Sequence, residues 1–316
     1  MSKVTVSICI PTYNQVDHLK KCIQSILIQD FLDYEIIISD DSTNDLVKNY
    51  IDSLRLNQTI KYYHNSPSLG SPDNWNNAVS KAEGEYIKVL HHDDFFTEKH
   101  SLSSLVNLLD TNPQVDLVFS LPEVLFVNSN KRIIQKPSKK SFFKFNQDFY
   151  FLFFKNVINA PSTTLYRKKV NVNYDKRFIW LVDVDFYISV LEKNKNVKYI
   201  DKTLVCISSG AEGQITQQVA YKKSVQIKEH ILLFSKIINH VSSYENYFLF
   251  FDELFLIYEV NTMKDLKQIC DVPDNLEEFL KQVFQNLHKF KTLKRIKYRL
   301  LNSKYNRRYF KVDKFK

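Results

Sequence analysis

Glycine is scarce in this chain, at four residues in 316. No G-x-G-x-x-G follows the first apolar run, which excludes the dinucleotide-binding fingerprint and with it a nicotinamide dehydrogenase. Cysteine is equally sparse. Cys9, Cys22, Cys206 and Cys270 stand apart with no C-x-x-C pair, so a disulfide framework is excluded and reduced thiols with a cytosolic address are expected. No run of ~18 apolar residues exists to cross a bilayer. Even Tyr247 to Val260 is broken by Asp252, Glu253 and Glu259. The first residues, Met1-Ser2-Lys3-Val4-Thr5-Val6-Ser7, are too polar for a signal-peptide core. Internal repeats and low-complexity linkers are also missing.

What is present is an ordinary globular composition, 44% hydrophobic and 25% charged, long enough for a large domain with a smaller C-terminal one. The formal charge of +9 is unevenly placed. Residues 286–316 hold twelve Lys or Arg against one acid, Asp313, so the body is close to neutral and the basicity belongs to the tail. There Leu287, Phe290, Leu293, Ile296 and Leu300 recur at helical spacing among Lys289, Lys294, Arg295, Lys297 and Arg299. A basic amphipathic helix of this kind suits an anionic membrane surface, and a docked helix with solvated charges is the plainer reading. Phosphates of nucleic acid attract the same charge, but no recognition motif accompanies it.

Residues 4–10 alternate and are β-branched, a strand stopped by Pro11. Leu19, Cys22, Ile23, Ile26 and Leu27 then follow the spacing of an amphipathic helix. Further strands are expected at 35–39, 60–63 and 86–90, with helices through about Leu54 and over 71–82, the latter closed by Gly84 as a C-cap. Alternating strands and helices indicate a parallel α/β sheet with right-handed crossovers, whose ligands bind beyond the carboxyl ends of the strands. Downstream, strands are expected at 116–126, 132–135, 162–167, 197–200 and 204–207, a helix over 183–191, and a buried aromatic stretch from Phe142 to Phe154. From about Gln217 the pattern is helical, with a break at Pro273.

Three polar clusters follow strand ends and should meet on one rim: Pro11-Thr12-Tyr13-Asn14, Asp40-Asp41-Ser42 and His91-His92-Asp93-Asp94. Neighbouring carboxylates repel in a low-dielectric setting, so Asp93 and Asp94 call for something positive. A hard divalent cation, Mn²⁺ or Mg²⁺, suits them, since it takes oxygen ligands and shares them with substrate phosphates. A solvated turn with an Asp capping the next helix is the alternative. Zinc through His91 and His92 is disfavoured, because neighbours on a strand point to opposite faces. Asp40-Asp41 can accept hydrogen bonds from a base N–H and ribose hydroxyls, or simply cap a helix, and Tyr13 can lie beside a nucleobase, or merely end a strand.

Together these stretches resemble the family 2 glycosyltransferases of the GT-A fold over roughly residues 4–210. The resemblance rests on VSICIPTYN (Val6 to Asn14), EIIISDDS (Glu35 to Ser42), Gly70 with Asn76 in LGSPDNWNNA, and AEGEYIKVLHHDD (Ala82 to Asp94). It implies a Rossmann-like, mostly parallel sheet flanked by helices, with a helical C-terminal extension: a catalytic domain over 1–215 and a helical region over 216–316. It implies that Pro11, Thr12, Tyr13, Asn14, Asp41, Asn76 and Asp93 face the nucleotide of a nucleotide-sugar, and that Asp93 and Asp94 hold the metal. His91 stands where the family's metal motif often begins with an acid. WLVDVDFYISV (Trp180 to Val190) resembles the family's E-D-x-D segment with Val182 in the Glu position, making Asp183 the catalytic base and Asp185 its alternative. Capping the helix is the plainer role for either. Gln214 and Thr216 would lie in a segment closing over the donor diphosphate, and Asn159 and Ser162 on the acceptor side.

The expected activity is metal-dependent, inverting transfer from a nucleotide-sugar, UDP-linked, to a glycan or lipid-linked acceptor in surface-polysaccharide assembly. The expected place is the cytoplasm, peripheral to the inner membrane through the basic tail. A polyprenyl-phosphate sugar transferase is the alternative, since a phosphate acceptor needs no base. A non-catalytic membrane or nucleic-acid binding module on an α/β scaffold is another. A processive synthase is disfavoured, as neither a Q-x-x-R-W motif nor membrane spans occur.

Overall fold

The computed structural model describes residues 4–55, 59–210 and 214–286. It forms two compact units, residues 1–149 with 157–217 and residues 150–156 with 218 onward. The basic tail, apart from Asn286, lies outside the described residues.

The first unit is built on β1 (Val6–Thr12), α1 (Val16–Leu27), β2 (Tyr34–Asp40), α2 (Leu46–Leu54), β3 (Ile60–His64), α3 (Asp73–Ser80) and β4 (Tyr86–Val89). β5 (Phe95–Phe96), α4 (Ser101–Asp110), β6 (Leu117–Phe126), β7 (Lys131–Ile134) and α5 (Lys139–Gln147) come next. β8 (Thr164–Arg167), α6 (Val182–Lys193) and β9 (Val197–Ser209) complete it, and the short α7 (Ile215–Val219) spans the boundary between the units. The strands lie in one sheet ordered β3-β2-β1-β4-β8-β6-β9-β5, with β7 paired to β6.

β3, β2, β1 and β4 run parallel, as does β9 beside β6. β8 and β5 run antiparallel to their neighbours. The alternation of β1 explains its layering. Val6, Ile8 and Ile10 join Leu19, Cys22, Ile23 and Ile26 of α1, and Leu102, Leu105 and Leu109 of α4, in one apolar cluster. Each such side chain, once buried, contributes about 1.5–3 kcal/mol. Cys9 turns to the other face, towards the Ala78 carbonyl of α3 at 3.6 Å. Helices therefore cover both faces, as near-continuous apolar strands require.

Several sequence expectations shift. The two strands expected at 197–207 are one continuous strand, β9. The strand expected from 162 begins at Thr164, after a tight turn over Pro161–Thr163. The buried stretch from Phe142 to Phe154 divides. Phe145 packs on Phe119 in the first unit, Phe143 is exposed, and Phe153 belongs to the second unit. There Phe153 meets Phe234, Tyr247 and Phe250 from α8 (Lys223–Ile237) and α9 (Glu245–Ile257). Residues 258–262 break the helical pattern before α10 (Met263–Lys267), which carries a capping box between Thr262 and Asp265. A further helix runs over 277–286. Among the described residues, no helix is long and apolar enough to cross a membrane. All four cysteines are free thiols.

Gly84 is not the C-cap. α3 ends four residues earlier, with Lys81 at its cap. Gly84 is needed for close approach to β1. A Cβ there would sit 2.6 Å from the Ser7 nitrogen and 2.9 Å from the Val6 carbonyl carbon, both backbone atoms. Its N–H donates to Ser7 Oγ at 2.8 Å. Gly84→Ala is expected to cost about 1–3 kcal/mol of stability, the usual penalty for overpacking, measured by urea denaturation.

Candidate active site

The parallel register of β1 with β2 and β4 brings their carboxyl ends to one rim. Asn14 adopts a left-handed φ of 60° and latches the first loop to the second. Its N–H donates to Ser42 Oγ at 2.7 Å, and its side-chain carbonyl accepts from Thr43 N at 3.0 Å. Tyr13, between them, stands 52% exposed, its ring presented to solvent at the rim. Pro11 and Thr12 are buried in the strand end itself.

Asp40 and Asp41 have different duties. Asp40 lies beneath, accepting from Ser42 N at 2.9 Å and from the Tyr62 hydroxyl at 2.7 Å. Asp41 accepts from Asn65 Nδ2 at 2.8 Å, Leu69 N at 3.1 Å and Gly70 N at 2.8 Å. Its carboxylate thus holds the turn at Gly70, whose φ of 72° favours glycine. Asn76 lies in α3. Its amide is committed at both ends to the backbone of Tyr174, donating to O at 2.8 Å and accepting from N at 2.9 Å. A segment from beyond β8 is thereby tied to α3.

The third loop is half-buried from His91 to Asp93 and buried at Asp94. β5 pairs antiparallel with β9, Phe95 opposite Cys206, so the residue before Phe95 lies across from the end of β9. Asp94 Oδ1 accepts from Ser208 N at 3.1 Å, and the Asp93 carbonyl accepts from Ser208 Oγ at 2.6 Å. Gln214 closes the arrangement, donating to Asp93 Oδ2 at 2.7 Å and accepting from Gly210 N at 2.9 Å. Thr216 is exposed in α7. Ser162 Oγ accepts from His91 N at 3.1 Å.

Burial pushes the Asp94 carboxyl well above the ordinary aspartate range, and the neighbouring Asp93 charge adds to the shift. Burial acts in the same direction on Asp93, but His92, the Gln214 hydrogen bond and His91 hold it below its usual value. Burial also lowers His91, to about 4, and Lys88, to about 7. Lys88 is fully buried in β4, donating to the carbonyls of Ser162 and Thr164.

The donor set fits a hard cation. Asp94 is out of water beside a second acid, and a positive ion would remove both penalties. The Nε2 atoms of His91 and His92 are buried without a hydrogen-bond partner among the described residues, a further polar demand in the same loop. Among the described residues, no three His, Cys, Asp or Glu side chains group into a closed metal cage.

Asp183 sits in the first turn of α6, its Oδ1 accepting from Val184 N at 2.8 Å. It is partly exposed, whereas Asp185 is buried at 2%. Its charge reaches Tyr174 and Tyr187, whose hydroxyls burial has already shifted upward. Tyr187 donates to the Asn159 carbonyl at 3.0 Å, and Asn159 itself is buried with a φ of 75°. The start of α6 is therefore joined through Tyr187 to the turn that carries Ser162.

The profile of glycosyl transferase family 2 matches residues 7–175, which contain all three loops. The chain belongs to this family. It is 29% identical over 215 residues to an uncharacterized glycosyltransferase of Methanocaldococcus jannaschii, covering 65% of this chain and 71% of that one. Over 91 residues it is 40% identical to the GalNAc(5)-diNAcBac-PP-undecaprenol beta-1,3-glucosyltransferase of Campylobacter jejuni, covering 28% and 29%. Over 116 residues it is 38% identical to an abequosyltransferase of Salmonella typhimurium, covering 35% and 34%. The chain thus spans about a third of the length of the latter two.

Among solved structures it is similar to S. aureus TarS 1-349 in complex with UDP-GlcNAc, with a TM-score of 0.59 at 18% identity, covering 81% of this chain and 71% of that one. A mannosyltransferase of Pyrobaculum calidifontis in complex with GDP-Man and Mn²⁺ gives 0.54 at 12%, covering 84% and 72%. These likenesses establish the GT-A fold. As a family 2 glycosyltransferase, the chain is an enzyme of sugar transfer.

Sequence reasoning missed Ser208, Asn65 and Lys88. Lys88 had a signal, a lone cation inside the apolar run Tyr86-Ile87-Lys88-Val89-Leu90. Ser208 had none, because only strand pairing delivers it. Asp41→Ala removes the acceptor for two backbone N–H groups and the Asn65 amide. It is expected to lower stability by roughly 2–4 kcal/mol in urea denaturation even without ligand, as buried hydrogen bonds to a charged group are lost.

Proposed function

We propose that this family 2 glycosyltransferase moves a sugar from a UDP-linked donor to a hydroxyl of a glycan or lipid-linked oligosaccharide, with inversion, in surface-polysaccharide assembly. The observation that carries the reading is the buried Asp94 beside the half-buried Asp93, gathered with Gln214 and Ser162 at the rim where β1 and β2 also end. TarS was solved with UDP-GlcNAc and with UDP, and the C. jejuni relative's name specifies an undecaprenol-diphosphate acceptor. Both lend support to this donor and acceptor class. We take residues 1–215 as the catalytic domain and 216–316 as a helical extension.

Tyr13 lies against the base. Asp41 shapes the base pocket through the turn at Gly70, and Asn76 acts through Tyr174 as a tie rather than a contact. Asp93 and Asp94 hold Mn²⁺ or Mg²⁺, which offsets the charge of the diphosphate when bound. Gln214, hydrogen-bonded to Asp93, positions that carboxylate, and the segment that includes Thr216 covers the donor. Asn159 and Ser162 border the acceptor. Asp183 accepts the proton of the acceptor hydroxyl as its oxygen bonds to the sugar's C1. The C1–phosphate oxygen bond breaks on the opposite side, and its electron pair leaves with the diphosphate. A single displacement of this kind inverts C1. Asp183 is favoured over Asp185 as base because it is partly exposed in the first turn of α6, whereas Asp185 is buried.

Asp183→Asn is expected to reduce kcat by ~10²–10⁴-fold in a UDP-release assay, with UDP affinity within about twofold of wild type by calorimetry. If Asp185→Asn shows that loss instead, the roles exchange. UDP is expected to raise the melting temperature more with Mn²⁺ than without, and Asp94→Asn to remove the difference. Offering a polyprenyl phosphate beside an oligosaccharide acceptor separates this reading from a lipid-phosphate transferase. Transfer to the phosphate, undiminished in Asp183→Asn, would replace it.

A further inference from the structure

The hairpin and helix between β6 and the end of α5 are not used by the proposed chemistry, and their composition is unusual. Residues 127–147 contain six Lys or Arg and no acid. β7 is paired on one side only, to β6, and all four of its residues are exposed. Ile134 there is 60% exposed. α5 is anchored from below. Phe142 packs on Tyr199 at 5.1 Å between ring centroids, and Phe145 on Phe119 at 6.4 Å. That anchoring turns Phe143 outward, 61% exposed, with Lys139 and Lys140 one helical turn before it.

Two of the cations have acidic partners, Arg132 with Glu123 and Lys136 with Asp201. Among the described residues, no ion pair joins Lys131, Lys139 or Lys140 to an acid. A lysine on an edge strand also guards against unwanted pairing. That accounts for neither Phe143 nor Ile134, which face water at a cost.

We propose that the free edge of β7, which exposes side chains on both of its faces, and the outer face of α5 form a docking surface for an anionic lipid bilayer, with Phe143 and Ile134 entering the headgroup–acyl boundary and Lys131, Lys139 and Lys140 paired with lipid phosphates. Aromatic and branched apolar side chains among unpaired lysines are the chemistry of an interfacial binder. Nucleic acid would satisfy the lysines but leave the isoleucine and phenylalanine exposed. The position also suits a membrane-bound acceptor. Val127 N, at the start of the hairpin, donates to the Ser209 carbonyl at 2.9 Å, one residue from the Ser208 that holds Asp93 and Asp94. This last point rests on the proposed function, but the binding test does not, since it needs neither donor nor acceptor.

The test is co-sedimentation of the full chain with phosphatidylcholine vesicles, with and without a third of phosphatidylglycerol. The basic tail is kept, so that loss of binding reports on this patch alone. Wild type is expected to bind the anionic vesicles only. Lys131→Gln, Lys139→Gln and Lys140→Gln together should weaken partitioning roughly a hundredfold. Phe143→Ser with Ile134→Ser should weaken it at least about tenfold. Melting temperatures and UDP affinity should match wild type in both variants. In a Phe143→Trp variant, brominated lipid should quench the added fluorescence. Equal sedimentation of wild type and both variants, absence of that quenching, equal binding to neutral vesicles, or preference for a DNA duplex over vesicles would each overturn the proposal.

Discussion

Asp94 lies out of water beside the half-buried Asp93 in the loop after β4, and the cost of that placement explains what surrounds them. Two carboxylates in a low-dielectric setting lose hydration and repel each other, so the fold must supply donors or a cation. It supplies some donors itself. Ser208 gives its N–H to one acid and its hydroxyl to the backbone of the other, and Gln214 gives its amide to Asp93. The remaining demand falls on Asp94, whose carboxyl burial drives towards its neutral form. Under the proposed function, a cation and the phosphates of the donor would complete it.

The sheet makes this possible by changing direction halfway. Its first four strands are parallel and bring loops to one rim, which suffices to collect the polar clusters that follow β1 and β2. The acids need a partner from the far part of the chain. The short β5, reversing against β9, places Asp94 across from Ser208, 114 residues later. The same pairing places Ser208 and Gly210, whose backbone groups both bond the Gln214 side chain. Thus one antiparallel ladder positions both the carboxylates and the segment that caps them.

The other side of the site depends on neutral hydrogen bonds rather than on charge. Tyr187 links α6 to Asn159, and Asn76 ties the backbone of Tyr174 to α3. Both are neutral hydrogen bonds, so the start of α6 is held without adding another charge near Asp183. Lys88, buried beneath, spans the carbonyls of Ser162 and Thr164 and so fixes the turn that faces His91.

Local pattern was enough to read the parallel half of the sheet. The β-branched runs at 6–12 and 34–40 and the helical spacing of Leu19, Cys22, Ile23 and Ile26 each bury a continuous apolar surface, and that requirement is written in residue order. The strand-end clusters were legible for the same reason, since polar residues after an apolar run mark a sheet rim. What the order of residues left open were interactions between distant segments. Asp41 looks the same whether it meets a base or the N–H of Gly70, and Asn76 the same whether it meets a ligand or Tyr174. An aromatic run looks buried until packing turns Phe142 and Phe145 inward and Phe143 out. Sequence alone determined which surfaces must leave water. Tertiary structure decided which donor meets which acceptor, because a hydrogen bond depends on angstrom-scale geometry that only the folded register of strands supplies.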